Sequence, residues 1–185
     1  MIAAVDFRKG TKVLYKGDPY EVVDFQHSIR GRGRGKVRAR LKNLRTGNVL
    51  DESFSSEEQF ETPDLENADM QFLYADGDNY VFMDSQTYEQ FPFPKESVGD
   101  AKWFLKEGEI YHIQLWNGAP LSVELPASFV LKVVETEPAV KGDTVSNTTK
   151  KAVLETGLEI KVPLFISVDE LVKVDTRTLT YISRA

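Results

Sequence analysis

A chain of 185 residues with 23 Lys and Arg, 29 Asp and Glu, two His and no Cys has room for one large domain or two to three small ones. At 41% apolar and 28% charged it is too apolar for a disordered chain, and no run approaches the ~18 apolar residues of a bilayer span. Without Cys there are no disulfides and no thiolate chemistry; His27 and His112 alone make no histidine metal site, so neither a metal nor a cofactor is expected. Asp6 and Arg8 fall where a signal peptide needs its apolar run, and a cytoplasmic location is expected. The net charge of −6 is unevenly placed: residues 1–50 carry 12 basic and 4 acidic side chains, residues 51–128 carry 3 and 17, and residues 129–185 carry 8 and 8. A basic start joined to an acidic middle points to separate surfaces with separate partners.

Turn signals recur every 8–12 residues, the rhythm of short strands. Residues 1–64 read as strands near Lys12–Tyr15, Glu21–Ser28, Lys36–Asn43 and Asn48–Phe54, with turns at Gly17-Asp18-Pro19 and Thr46-Gly47-Asn48. The acidic stretch Ser55–Asp69, with Pro63 inside it, reads as a linker. Residues 65–127 give strands at Met70–Ala75 and Tyr80–Asp84, a short helix around Ser97–Leu105, and a hairpin Ile110–Trp116 and Pro120–Glu124 closed by Asn117-Gly118. Residues 128–185 give Phe129–Glu135, a polar loop Thr136–Thr149, and strands at Ala152–Glu155, Glu159–Val162, Leu171–Val174 and Leu179–Ser183. Five short strands in about 60 residues suit an oligonucleotide-binding (OB) barrel, which removes most sheet edges. The fold class is all-β, with three barrels, the last two of the same size and rhythm.

Basic residues occupy positions 30, 32, 34, 36, 38, 40 and 42, a strict period of two. In a strand this puts Lys36, Arg38, Arg40 and Lys42 on one face and Val37, Ala39 and Leu41 on the core face. Before Lys36 the alternate residues are Gly31, Gly33 and Gly35, so that stretch has nothing to bury and reads as a hairpin tip. An alternating basic strand is often only a solvated face. Here seven positive charges sit inside a folded module with no acid among them, a self-repulsion that a polyanion would relieve. The pattern points to phosphate, and so to RNA or DNA, through Arg30, Arg34, Lys36, Arg38, Arg40 and Lys42.

The segment Lys150-Lys151-Ala152-Val153-Leu154-Glu155-Thr156-Gly157-Leu158-Glu159-Ile160-Lys161-Val162-Pro163 resembles the signature of bacterial elongation factor P, with Asp169 where that signature closes on Gly. The likeness extends over Leu44-Arg45-Thr46-Gly47, Leu115-Trp116-Asn117-Gly118, Thr136–Thr144 (with Ala139 in place of the usual Gly), Lys173–Arg177 and Tyr181–Arg184, essentially the whole chain. The resemblance implies an SH3-like (KOW-type) N-terminal barrel followed by two OB-fold barrels, arranged as an L that resembles tRNA. It implies a monomeric, non-enzymatic factor with no catalytic residues of its own. Such a factor binds the ribosome between peptidyl and exit sites, beside peptidyl-tRNA and rRNA, and relieves stalling at consecutive prolines. By the same likeness the hairpin tip that reaches the tRNA CCA end is Arg32, flanked by Gly31 and Gly33. The loop Lys141-Gly142-Asp143-Thr144 would face the small subunit and the exit-site codon. The family's lysine-tip modification has no substrate here, because Arg30-Gly31-Arg32-Gly33 replaces Pro-Gly-Lys-Gly; an arginine-modifying glycosyltransferase is the corresponding candidate partner.

Two other classes compete on the residues alone. Paired carboxylates such as Glu57 with Glu58 and Asp169 with Glu170 would serve an enzyme, but so acidic a surface explains them as solvated groups, and neither a phosphate loop nor a dinucleotide fingerprint is present. A general RNA-binding or ribosome-associated module without effect on peptidyl transfer would use Tyr80, Phe82, Phe91, Phe93 and Trp103 as a stacking platform, residues that equally suit barrel cores.

Overall fold

A computed structural model describes residues 1–28, 35–138 and 148–185. The chain is built almost entirely of antiparallel strands in three barrel-like units. The first contains β1 (Ile2–Ala3), β2 (Lys12–Tyr15), β3 (Asp18–Ser28), β4 (Lys36–Asn43), β5 (Val49–Ser55) and β6 (Gln59–Phe60). Strands β2 to β5 form a meander in chain order, and β1 pairs with β6 alongside it. Phe7, Phe54 and Phe60 meet in its core, with ring centroids 5.2 Å (Phe7–Phe60) and 4.9 Å (Phe54–Phe60) apart. Tilted and edge-on rings at these distances add to the burial of the rings themselves.

Two sequence expectations change here. The first turn is Lys16-Gly17, not Gly17-Asp18-Pro19: both residues take left-handed φ values, 52° and 86°, which match a two-residue hairpin to the twist of its strands, while Asp18 and Pro19 already pair with Tyr15 and Leu14. The stretch Ser55–Asp69 is not a linker. Phe60 and Pro63 are buried, the backbone N–H groups of Ala4 and Leu14 donate to the carbonyls of Glu58 and Glu61, and a new strand starts at Leu65. Its acids lie in solvated turns and connections (Glu57, Glu58, Glu61, Asp64) and on the start of β7 (Glu66, Asp69), which a reading by charge alone mistakes for a spacer.

The second unit has β7 (Leu65–Asp76), β8 (Asn79–Asp84), β9 (Gln90–Pro94), β10 (Ile110–Trp116) and β11 (Ala119–Glu124). Strand β9 is not predicted by the sequence pattern, since it holds Pro92 and Pro94; it lies at the sheet edge, where a missing N–H costs no ladder bond. The expected helix at Ser97–Leu105 is one short α-turn, α1 (Lys95–Val98), broken at Gly99 (φ 57°) and continued as a 3₁₀ turn over Gly99–Phe104. Asn117 and Gly118 take φ values of 51° and 74° and close the β10–β11 hairpin as their sequence predicts.

The third unit has β12 (Ser128–Thr136), β13 (Thr149–Leu154), β14 (Glu159–Pro163), β15 (Leu171–Asp175) and β16 (Thr180–Arg184). Its strand order is β14-β13-β12-β15-β16, and that of the second unit is β9-β8-β7-β10-β11. Numbered within each unit both read 3-2-1-4-5, so the two units share one topology, with the first strand central. Asp169, where the family signature has Gly, takes φ 69°, a left-handed conformation that Asp tolerates better than most residues. Its N–H donates to the Val133 carbonyl and its carboxylate holds Lys132 Nζ at 2.8 Å.

The second and third units are joined by a shared aromatic plug. Phe104, on the 3₁₀ turn of the second unit, is fully buried among the core residues of the third, with Trp103 packed beside it. Phe129, at the start of the third unit, lies 5.8 Å from Phe104 and stacks on Tyr111 of the second unit. The Tyr111 hydroxyl donates to the Phe104 carbonyl at 2.7 Å and accepts from the Lys106 N–H at 2.8 Å; burial, first of all, pushes its pKa up. Lys106 reaches on to Glu155 of the third unit at 2.8 Å.

Candidate nucleic-acid interface

The β3–β4 hairpin carries the predicted basic face. From Lys36 to Asn43 burial alternates at every residue: Lys36, Arg38, Arg40 and Lys42 are exposed, while Val37, Ala39, Leu41 and Asn43 are buried. The period of two in sequence is therefore the period of two in space. A bulge at Val23 lets Val22 face the core opposite Leu41 while Asp24 falls opposite Arg40 on the outer face. The predicted tip residues Arg30, Gly31, Arg32, Gly33 and Arg34 lie outside the described residues, as do Lys141, Gly142, Asp143 and Thr144.

Neighbouring strands give the four basic residues unlike surroundings, and no local sequence window shows this. Lys36 lies between Ser28 and Ser55, and Arg38 between Gln26 and Ser53. Arg40 lies between two carboxylates, Asp24 and Asp51, and Lys42 between Glu21 and Val49. The Arg40 guanidinium donates to Asp51 through two nitrogens, Nε at 3.2 Å and Nη2 at 3.3 Å, and this pair raises its pKa above the usual arginine value. Asp24 is held below the usual carboxylate range first by Lys9, 3.3 Å away, and more weakly by Arg40. Arg38, Arg40, Asp24 and Asp51 line one shallow depression on this face. Among the described residues, the cations of β4 that face no acid on either neighbouring strand are thus Lys36 and Arg38, at the start of the strand.

The base of the hairpin is tied by a different device. Buried Asn43 accepts from the N–H groups of Arg45 and Thr46 through Oδ1 and donates to Asp18, which also holds the Arg45 guanidinium at 2.7 Å. Gly47 follows with φ 76°. The other candidate residues do structural work. Phe82 and Phe93 are fully buried, and Tyr80, Phe91 and Trp103 pack against the barrel cores, so these rings form no exposed stacking platform. Glu58 accepts from the Ser55 N–H, Glu170 pairs with Arg184, and His112 pairs with Asp69 across β10 and β7 on an exposed face. His27 is exposed near the outer end of β3, edge-on to Phe25. No helix among the described residues is long and apolar enough to cross a membrane.

Three family models match successive parts of the chain: an elongation factor P KOW-like domain over residues 3–60, an elongation factor P OB domain over 65–123, and an elongation factor P C-terminal domain over 130–184. Proteins named elongation factor P from Oleidesulfovibrio alaskensis and Thermodesulfovibrio yellowstonii are each 50% identical over 184 residues, covering 100% of this chain and 100% and 98% of their own. One from Synechococcus sp. strain JA-2-3B'a(2-13) is also 50% identical, with 100% of both chains covered. Among solved structures, eukaryotic translation initiation factor 5A from Methanococcus jannaschii superposes with a TM-score of 0.52 at 24% identity, covering 66% of this chain and 94% of that one, a likeness of fold. A KOW-like barrel followed by two OB barrels, matched from residue 3 to residue 184 and half identical to full-length relatives, places the chain in the elongation factor P family of translation factors.

Proposed function

We propose that the protein binds the ribosome between the peptidyl and exit sites and speeds peptide-bond formation at consecutive prolines, with residues 1–64, 65–127 and 128–185 as its three working units in an L-shaped, tRNA-like body. The observation that carries this reading is the charge layout of β4: Lys36 and Arg38 are exposed and faced only by Ser and Gln, at the end of the strand that the Gly-Arg run precedes in sequence. On this reading Arg32, between Gly31 and Gly33, meets the CCA end of peptidyl-tRNA, and Lys36 and Arg38 hold nearby phosphates. Lys141, Gly142, Asp143 and Thr144 approach the small subunit and the exit-site codon. The protein works as a cytoplasmic monomer and performs no bond chemistry itself. Proline is a poor, conformationally restricted nucleophile, and holding the tRNA end in a reactive pose accelerates transfer through orientation alone.

The test is the rate of Met-Pro-Pro-Pro synthesis in a purified translation system. Wild type accelerates it, while Arg32→Ala gives no acceleration yet still binds ribosomes, and neither changes a proline-free template. If the recombinant protein is inactive but protein from its native host is active, Arg32 requires modification, with an arginine glycosyltransferase as the partner to seek. Inactivity of both overturns the proline-stall reading and leaves a general RNA-binding module.

A further inference from the structure

The basic face has a weakness as a docking surface. Lys36, Arg38, Arg40 and Lys42 recur every two residues, about 6.8 Å along an antiparallel strand. That spacing is comparable with the separation of phosphates along a nucleic-acid strand. A regular comb of cations against a regular row of anions has several nearly equivalent alignments, each displaced by one repeat. For a generic RNA binder this is harmless. For a hairpin whose tip must meet one reacting centre, a slip of one repeat moves the tip by about 6.8 Å, far beyond the tolerance of a positioning role.

The two strands that flank β4 break the repeat. Opposite Lys36 and Arg38 they present Ser28, Ser55, Gln26 and Ser53, which leave both cations available. Opposite Arg40 they present Asp24 and Asp51, and Asp51 engages two guanidinium nitrogens at once, the geometry that matches a carboxylate to an arginine fork. Asp24 is itself anchored by Lys9 at 3.3 Å, which leaves Asp51 as the acid committed to Arg40.

We propose that Asp51 is a positioning residue that withholds Arg40 from phosphate and so fixes a single register in which the hairpin docks on RNA. The inference rests on the reading of this hairpin as the RNA interface. Its signature is an inverse relation between binding and function: releasing Arg40 adds a phosphate contact, opens the slipped alignment, and moves the tip off its target.

The test combines two measurements on the full chain. Binding to deacylated tRNA is followed by fluorescence anisotropy over a range of KCl, where each phosphate contact adds about 0.7–0.9 to the slope of log affinity against log salt. Met-Pro-Pro-Pro synthesis is measured alongside. Arg38→Gln calibrates the slope and lowers it by one contact. Asp51→Asn, isosteric and uncharged, steepens the slope by one contact and tightens low-salt binding severalfold, while the proline-dependent rate falls severalfold. Asp51→Asn with Arg40→Gln returns both slope and rate towards wild type, which a merely unfolded or loosened hairpin would not do, and Asp51→Glu keeps both near wild type. An unchanged slope in Asp51→Asn, or a rate that rises with its affinity, overturns the proposal. If the wild type shows no salt-dependent binding, or Arg38→Gln leaves the slope intact, the RNA-interface reading falls first and the proposal with it.

Discussion

Residues 65–124 and 128–184 build the same five-strand order from unlike sequences, and the two barrels differ in everything that hangs from the strands. Strands one and two are joined by Gly77-Asp78 in the second unit and by residues 137–148 in the third. Between strands three and four the second unit inserts α1 and the 3₁₀ turn over residues 95–109, where the third has only residues 164–170. Charge diverges as well: residues 65–127 carry 3 basic and 11 acidic side chains, whereas residues 128–185 carry 8 of each. Barrel topology therefore sets neither partner nor surface, which belong to the loops and outward-facing residues. The second unit uses its long insertion to supply Phe104 to its neighbour.

The sharpest way to break this comparison is to remove the plug. Phe104→Ala leaves a cavity in the core of the third unit although the residue belongs to the second, with an expected cost of about 3–5 kcal/mol. In calorimetry the wild-type second and third units melt together, and the variant separates them with the third melting first. Phe82→Ala, whose ring lies wholly in the second unit, lowers the joint transition without separating it. A Phe104→Ala protein whose third unit melts at the wild-type temperature would refute the shared core.

Smaller effects, opposite in sign to one another, come from two turns of one design. Asp84 and Asp175 each accept two backbone N–H groups through Oδ1, from Gln86 and Thr87 and from Arg177 and Thr178, and each turn ends on a left-handed residue, Tyr88 (φ 61°) or Leu179 (φ 57°). Asn43, Arg45, Thr46 and Gly47 make the same turn in the first unit, with Gly at the strained position. The Leu179 side chain packs on the core of its barrel, while Tyr88 is 72% exposed. Tyr88→Gly is therefore expected to be neutral or to stabilise by up to about 1 kcal/mol, and Leu179→Gly to destabilise by about 1 kcal/mol, both read from thermal melts.

Smallest of all is the acid response. Backbone N–H groups, those of Thr87 and Thr178 foremost, hold Asp84 and Asp175 below the usual carboxylate range. A depressed folded pKa means the contribution is complete above the unfolded value near 3.9 and is lost as pH falls through the folded pKa. Both turns in the OB barrels weaken in that window, whereas in the first unit the acceptor of the Arg45 and Thr46 N–H groups is the uncharged Asn43 amide, so those two hydrogen bonds persist. Hydrogen exchange at Thr87 and Thr178, compared with Thr46 between pH 5 and pH 3, reads the difference. Equal acid sensitivity at all three would sink the explanation.

Much of this was legible in the sequence where the signal is local. The alternation from Lys36 to Lys42, the Asn117-Gly118 hairpin and the five-strand rhythm of the third unit each depend on residues a few positions apart. Legibility failed where one element answers to another far along the chain. Ser55–Asp69 read as a spacer because its acids are visible in sequence and its partners, Ile2, Ala4 and Leu14, are not. Strand β9 was hidden by two prolines that only an edge position permits. The alternating charges of β4 were visible, but the pairing of Arg40 with Asp51 depends on the register of β4 against β5, which no period reveals.

The Phe104 plug has a consequence for what happens when the chain is cut. A fragment that ends near residue 127 would present Phe104 and Trp103 to water as a sticky aromatic knob, and a fragment that begins near residue 128 would fold around an empty socket. The first would be drawn into self-association and the second into partial unfolding, so a protease nick between the last two barrels would release two aggregation-prone halves and no working part.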